Sequence, residues 1–216
     1  MIKGGNPSFI ESYQTNEFNL CDDIIAKFEE FNSSVEPSVH GHVMDGTVMN
    51  GGLKNRKDRA FDFLSLQEPL IQPMHEVLKR YVDIYCEKYI GFGMKSSMSR
   101  HMKVQKTEPK GGFYMWHSEH SHGDQASYRS LVWTFYLNDI PDGEGETEFI
   151  ESTISTMSVK CIGGRALVFP PMFPWVHCGR KPVHKPKYLL QSYLHYTLPN
   201  GLTKSESEML VRQGKQ

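Results

Sequence analysis

Apolar residues in the first half of the chain recur at the spacing of a helix. In residues 18–31 they return every three or four positions, and residues 66–90 repeat the pattern with Pro69 suited to a first turn. The apolar positions of the first segment are Phe18, Ile24, Ile25, Phe28 and Phe31. Both segments are therefore predicted to form amphipathic helices.

After about residue 98 the pattern changes to short segments that alternate apolar and polar residues or run apolar between turns. Such segments are typical of β-strands. The predicted strands are 101–107, 112–118, 129–138, 147–150, 154–159, 165–170, 174–178 and 187–197. Helices followed by eight short strands predict a mostly β (α+β) fold, a double-stranded β-helix (jelly roll) flanked by N-terminal helices.

The chain of 216 residues suits a single domain, 1–216. Within it, residues 1–97 are predicted to be helical and loop support, 98–199 the jelly-roll catalytic core, and 200–216 a C-terminal tail or short helix. Residues 32–58 are polar and rich in glycine, which predicts a long loop that covers a binding pocket.

Composition excludes several classes of protein. A formal net charge of −1, without a long run of one sign, gives no electrostatic reason to expect a nucleic-acid partner. No apolar run approaches the ~20 residues that span a bilayer, so no membrane partner is expected. The four cysteines form no C-x-x-C pair. With no signal-peptide pattern at the start, we expect a cytoplasmic protein with free thiols.

Three short segments fit one metal site. His117 and Glu119 form a His-x-Glu pair, and on a strand such residues share a face. His177 follows sixty residues later. Two imidazoles and one carboxylate occupy one face of an octahedral Fe(II) and leave the other face open. Lys187, ten residues after His177, can hold the far end of a dicarboxylate, a combination that suggests an oxygenase.

Other histidines offer weaker alternatives. His184 is a rival for the third ligand position, seven residues after His177. The pairs His40/His42 and His120/His122 have a similar spacing but are interpreted as polar loop residues.

Several further motifs occur in a fixed order, and with the histidines they carry a family resemblance. They are Arg129–Asp139, Gly145–Phe149, Val159–Pro170, Trp175–Val183 and Lys187–Tyr188. In order and spacing, residues 100–197 resemble the catalytic domain of 2-oxoglutarate/Fe(II)-dependent oxygenases of the prolyl 4-hydroxylase type.

The resemblance implies a role for each matching residue. It makes His117, Glu119 and His177 the metal ligands and Lys187 the partner of the distal carboxylate of 2-oxoglutarate. The further residues it implies are Tyr136, Thr134 and Tyr114 around the co-substrate, with Gln191 and Tyr193 as candidates for the lining of the substrate pocket. Arg129, at the end of the 119–129 connection, is a candidate for the rim of that pocket; the alternative is that it holds structural carboxylates. The implied cofactors are Fe(II), 2-oxoglutarate and O2, with ascorbate as a candidate addition.

The chain also departs from the family pattern. The commoner acidic ligand is aspartate, where this chain has Glu119. Thr107 stands where many relatives have a tyrosine, and Val132 where many have a threonine. These departures bear on co-substrate binding more than on the metal.

Three functions remain open at this point. The first is a dioxygenase that hydroxylates a C–H bond in a prolyl or other residue of a protein or peptide, or in a small molecule. The second is a non-catalytic, cupin-like metal-binding module, and the third is a structural domain with incidental histidines. Lys187 and Tyr136 favour the first, because a module that binds only metal needs no dicarboxylate anchor.

Overall fold

Two helices lie against one face of a large antiparallel sheet in the computed structural model. It describes residues 9–34, 54–55, 57–62, 69–89, 96–98, 101–113, 115–120, 126–152 and 155–197. Helix α1 runs Phe18–Ser34 and helix α2 runs Ile71–Lys88, close to the predicted segments. Helix α2 begins after the turn that holds Pro69, so Pro73 falls in its first turn, where a missing backbone N–H costs nothing.

The strands follow one another in short antiparallel pairings. Their bounds are β1 Glu11–Gln14, β2 Lys54–Asn55, β3 Lys57–Asp62, β4 Ser96–Met98, β5 His101–Thr107, β6 Gly112–Phe113, β7 Arg129–Tyr136, β8 Thr147–Ser152, β9 Ser155–Val159, β10 Arg165–Phe169, β11 His177–Gly179 and β12 Lys187–Tyr196. A large sheet has the order β1-β10-β7-β12-β5-β3, and β4 also pairs with β12. A smaller sheet has the order β11-β8-β9, and β2 pairs with β6.

The large sheet buries one face under the helices. Residues of α2 such as Met74, Leu78 and Tyr85 pack into a core with side chains of the central strands. Trp133 and Phe135 of β7 and Leu190 and Leu194 of β12 are among those side chains.

The opposite face of the large sheet meets the small sheet in a second core. Val132 and Tyr136 of β7 and Phe169 of β10 pack there with Phe149 of β8. Because strand side chains alternate, β7 and β12 serve both cores at once. We call the region between the two sheets, beside this second core, the cavity of the fold; the residues that the sequence marked as functional lie there.

Part of the sequence interpretation needs correction. Residues 1–17 lie outside the predicted helices and strands, yet β1 lies there and pairs with β10. Strand β4 also went unpredicted. The end of the predicted 32–58 loop is strand, because β2 and β3 include 54–55 and 57–58. The predicted strand 112–118 is regular only at Gly112–Phe113; beyond it, His117 forms an isolated bridge.

Three predictions fall outside the described residues. They concern Tyr114, most of the 32–58 loop, and the tail or short helix at 200–216. No helix in the described part of the chain is long and apolar enough to cross a membrane.

Candidate metal centre

Three side chains converge at the mouth of the cavity. His117, Glu119 and His177 bring their ligand atoms within 4.8 Å of one another. The nearer carboxylate oxygen, Glu119 Oε1, lies 3.6 Å from Nε2 of His117 and 3.6 Å from Nε2 of His177. Metal–ligand bonds of about 2.1 Å need neighbouring ligand atoms about 3 Å apart, so a small contraction would suit a metal ion.

The backbone holds the two histidines side by side. His117 and His177 form an antiparallel bridge in which each N–H donates to the other carbonyl at 2.9 Å. This bridge continues the small sheet beyond β11, although the segment around Glu119 is not a regular strand. The amide N–H of Glu119 donates to the Pro171 carbonyl at 2.8 Å, which fixes the turn that aims its side chain.

Both imidazoles are held in the tautomer that a metal needs. Nδ1 of His117 lies 2.8 Å from the Met115 carbonyl, and Nδ1 of His177 lies 3.2 Å from the Trp175 carbonyl. A carbonyl oxygen only accepts, so in each ring Nδ1 carries the proton and donates it. Nε2, the ring nitrogen that faces Glu119, is therefore the atom through which each histidine would bind a metal ion.

Glu119 is ionised in this setting. Burial by itself would raise the pKa of its carboxyl, but hydrogen bonds and positive charge from the rings of His117 and His177 outweigh burial and hold that pKa well below its usual value. A metal ion would take the place of the ring protons that make these contacts. The site would therefore offer a metal ion one carboxylate and two imidazole nitrogens, which is the donor set of a facial iron site with open positions.

Lys187 lies deep in the cavity, with only 4% of its surface exposed. Its Nζ donates to the Gly145 carbonyl at 2.6 Å and lies 5.2 Å from the centre of the Tyr136 ring. Gly145 has a φ of +67°, and a Cβ there would approach Ile140 Cγ2 to 2.8 Å, so glycine is needed to present this carbonyl. A buried ammonium beside a tyrosine suits the far carboxylate of a dicarboxylate ligand.

The other predicted residues take varied positions. Arg129, Gln191 and Tyr193 all contact the Glu119 carboxylate, and their place in the substrate pocket stays a prediction. Thr134 is buried on the cavity face, opposite Gln191 in the β7–β12 pairing. Tyr114 lies outside the described residues.

The rival histidines have other partners. His184 Nδ1 lies 2.6 Å from Glu144 Oε1, and the side chain is 75% exposed. It is therefore not the third ligand. Nε2 of His120 lies 2.8 Å from the Arg129 carbonyl. A carbonyl only accepts, so Nε2 carries a proton and donates it, and it has no lone pair for a metal.

Two residues near the site escaped the sequence interpretation. Gln105 of β5 is 1% exposed and donates to Gln191 Oε1 at 2.7 Å. Thr147 Oγ1 lies 2.6 Å from the Tyr136 hydroxyl. Strand alternation could have found Gln105, since it shares a face with Thr107, and Thr147, since it shares a face with Phe149.

Two facing sheets that bring together two histidines and a carboxylate fit a jelly-roll protein with a facial site for non-haem iron. A family model described as the 2OG-Fe(II) oxygenase superfamily matches residues 102–195. This segment of the chain is a 2OG-Fe(II) oxygenase domain. The predicted class, a 2-oxoglutarate/Fe(II)-dependent dioxygenase that uses Fe(II), 2-oxoglutarate and O2, is confirmed; ascorbate stays a prediction.

Solved structures share the fold. A Pseudomonas putida prolyl-4-hydroxylase aligns with a TM-score of 0.64 and 11% identity, over 88% of this chain and 94% of that one. A Trichoplax adhaerens prolyl hydroxylase, in complex with a hypoxia inducible factor oxygen degradation domain peptide fragment, aligns with a TM-score of 0.65 and 14% identity. The alignment covers 88% of this chain and 85% of that one. The carbocyclase SnoK from nogalamycin biosynthesis aligns with a TM-score of 0.63 and 11% identity, over 88% of this chain and 80% of that one.

These likenesses confirm the predicted jelly-roll fold with flanking helices. At such low identity they establish the fold alone, and SnoK shows that the fold also supports other chemistry. A search of curated protein sequences found no match.

Proposed function

We propose that this protein hydroxylates a C–H bond in a residue of a peptide or protein segment. The observation that carries the proposal is the cluster of His117, Glu119 and His177 at a cavity that also buries the cation of Lys187. The cluster fits Fe(II), and Lys187 fits the distal carboxylate of 2-oxoglutarate. The prolyl hydroxylases among the structural neighbours support a peptide residue as the target.

The surface beside the cluster supports a peptide substrate. Met115 and Trp116, which directly precede the first ligand, are 38% and 42% exposed, and Phe173 is 80% exposed. Phe173 follows Pro171, whose carbonyl accepts from the N–H groups of Glu119 and His120. Large apolar side chains left exposed beside a reactive site are suited to bind the apolar part of a partner chain.

Each protein group has a definite task in the proposed reaction. When bound, iron and 2-oxoglutarate supply the oxidising chemistry: one oxygen atom of O2 goes to succinate, the other to the hydroxylated product, and CO2 is released. Lys187 orients the co-substrate through its distal carboxylate. The rings of Phe149 and Phe169, 4.9 Å apart, form an apolar wall beside His177 that keeps water away.

The test is succinate release by purified protein with Fe(II) and 2-oxoglutarate, followed by screening of peptide and metabolite libraries for a mass gain of one oxygen atom. We expect succinate formation that depends on iron and modification within the peptide library. Modification of small molecules alone would contradict the proposed substrate class. Absence of succinate under every condition, with metal bound, would favour the non-catalytic module, which no feature of the described residues supports at present.

We further propose a cytoplasmic location and the division of the chain into 1–97, 98–199 and 200–216. Cys21, Cys86, Cys161 and Cys178 are all free thiols, which suits a reducing compartment. Helices α1 and α2 pack on the large sheet, which suits a supporting role for the N-terminal part. Fractionation and limited proteolysis test these two proposals.

A further inference from the structure

The two carboxylate oxygens of Glu119 have different surroundings. Oε1 faces both histidine Nε2 atoms and accepts from the Gln191 amide at 3.0 Å. Oε2 accepts from the Tyr193 hydroxyl at 2.9 Å and from Arg129 at 3.1 Å. One oxygen is thus directed to the ligand cluster, and the other is held on the protein side.

A hydrogen bond from Gln105 fixes the orientation of the Gln191 side-chain amide. Gln105 Nε2 donates to Gln191 Oε1 at 2.7 Å, so the amide nitrogen of Gln191 must be the atom that faces Glu119. Gln105 lies in β5 and Gln191 in the adjacent β12, and both belong to the buried sheet rather than to a loop. Their positions are therefore set by the ladder of the fold.

Arg129 is held equally firmly on the other side. The same NH1 atom that contacts Glu119 Oε2 also donates to the Glu119 carbonyl at 2.7 Å. The guanidinium lies over the Tyr193 ring, with its central carbon 3.7 Å from the ring centre. Stacking and hydrogen bonds place both donors to Oε2 in one rigid unit.

We propose that Gln105, Arg129, Gln191 and Tyr193 form a carboxylate cage that makes Glu119 a one-oxygen ligand through Oε1 and that fits glutamate rather than aspartate. The inference rests on the proposed function and adds positioning residues to its metal centre. By occupying Oε2, the cage keeps the carboxylate from chelating the metal and so preserves the open positions that co-substrate and O2 require.

The length of the side chain decides the fit. An aspartate carboxylate at position 119 would sit closer to the backbone by one methylene, about 1.5 Å. It could reach the histidines or the cage, but hydrogen bonds of 2.9–3.1 Å do not survive a displacement of that size. The commoner ligand of the family is therefore expected to be the poorer ligand in this chain.

The experiment measures Co(II) binding to metal-free protein by titration and records the Co(II) absorption spectrum of each loaded protein. We expect Tyr193→Phe and Gln191→Leu to weaken Co(II) binding 10- to 100-fold, as outer-shell substitutions typically do. Glu119→Asp is expected to bind more weakly than the native protein. The spectrum should change as well, because freeing Oε2 or Oε1 alters the coordination.

Tyr188→Phe is the matched control. Tyr188 lies on the opposite face of the same strand, and its hydroxyl donates to Glu29 at 2.6 Å, so this variant also removes a tyrosine-to-glutamate hydrogen bond. Co(II) affinity and spectrum should stay native in Tyr188→Phe, whereas a loss in both tyrosine variants would point to general damage and overturn the cage.

The remaining outcomes separate the two proposals. Native Co(II) affinity and spectrum in Tyr193→Phe and Gln191→Leu, or tight native-like binding in Glu119→Asp, would overturn the cage while leaving the proposed function standing. If the native protein binds Co(II) no better than His177→Ala does, the metal centre itself fails, and the proposed function and the cage fall together.

Discussion

The two faces of strand β12 carry opposite kinds of interaction. On the helix side, Leu190 and Leu194 are buried among apolar side chains. On the cavity side, Gln191 and Tyr193 contact Glu119, and Lys187 reaches the Gly145 carbonyl. One strand thus stabilises the fold through one face and orders the site through the other, so substitutions at successive positions should affect different properties.

The largest effect should come from the ligand cluster that the cavity face supports. We expect His117→Ala, Glu119→Ala and His177→Ala each to abolish iron-dependent succinate formation, because a three-residue site cannot lose a ligand and keep its geometry. The free energy of unfolding of the metal-free protein should change by less than about 3 kcal/mol. Full turnover in any one variant would show that its residue is not a ligand.

The helix side should respond in the reverse manner. Leu190 is fully buried, so Leu190→Ala should lower the free energy of unfolding by about 2–5 kcal/mol through lost burial and a residual cavity. The kcat of the protein that remains folded should stay within about twofold of native. Urea unfolding measures the free energy, and succinate assays below the unfolding transition measure kcat. A loss of kcat without a loss of stability would contradict the assignment of stability to one face of β12 and of site order to the other.

At the deep end of the cavity, Lys187→Ala should raise the requirement for 2-oxoglutarate. A charge-assisted hydrogen bond contributes about 1.5–3 kcal/mol, which corresponds to roughly a ten- to hundredfold weaker affinity. Metal affinity should change much less. A co-substrate titration identical to that of the native protein would assign the anchor to another cation.

The smallest effect is expected from pH at the loop beside Lys187. Glu144 accepts from the Val183 and His184 N–H groups and from the His184 ring. Burial would raise the pKa of Glu144, but these hydrogen bonds outweigh burial and lower it. Its stabilisation is therefore present above the ordinary pKa of 4.5 and is lost as the pH falls through the lower folded value.

Thermal unfolding of native protein and Glu144→Gln between pH 7 and pH 3 checks this expectation. The native protein should have the higher Tm at neutral pH, and the difference should shrink in the acidic range. Asp142→Asn is a suitable control, because Asp142 is exposed and pairs only with Lys160 among the contacts described for it. A constant difference across the range would exclude the Glu144 carboxylate as the cause.

The sequence predicts the centre of the fold better than its edges. Strands β7, β10 and β12 have long apolar or alternating stretches, and their predicted bounds lie within a few residues of the observed ones. Strand β3, Lys57–Asp62, contains four charged residues among its six, and β1 has only four residues in all, so neither shows a pattern of its own. Both become strands because a neighbouring strand offers free hydrogen-bonding groups.

The candidate site shows the same limit. Spacing together with the family resemblance selected His117, Glu119 and His177, which the fold brings together. It could not show that Arg129 and Tyr193 would turn toward Glu119, since that contact joins β7 and β12 through stacking of two side chains. Nor could it show that Gln105 supports Gln191, because pairing between distant strands is set by the register of the whole sheet.

The bridge between His117 and His177 has a consequence for the lifetime of the protein. It joins chain positions sixty residues apart. A metal ion bound to both histidines would therefore link the small sheet to the segment that precedes β7. A ligand that binds only the folded chain raises the free energy of unfolding by about 2.7 kcal/mol when its concentration is a hundredfold above its Kd. We therefore expect resistance to proteases to rise with the supply of iron, which pulse-chase measurement under iron starvation and repletion can check.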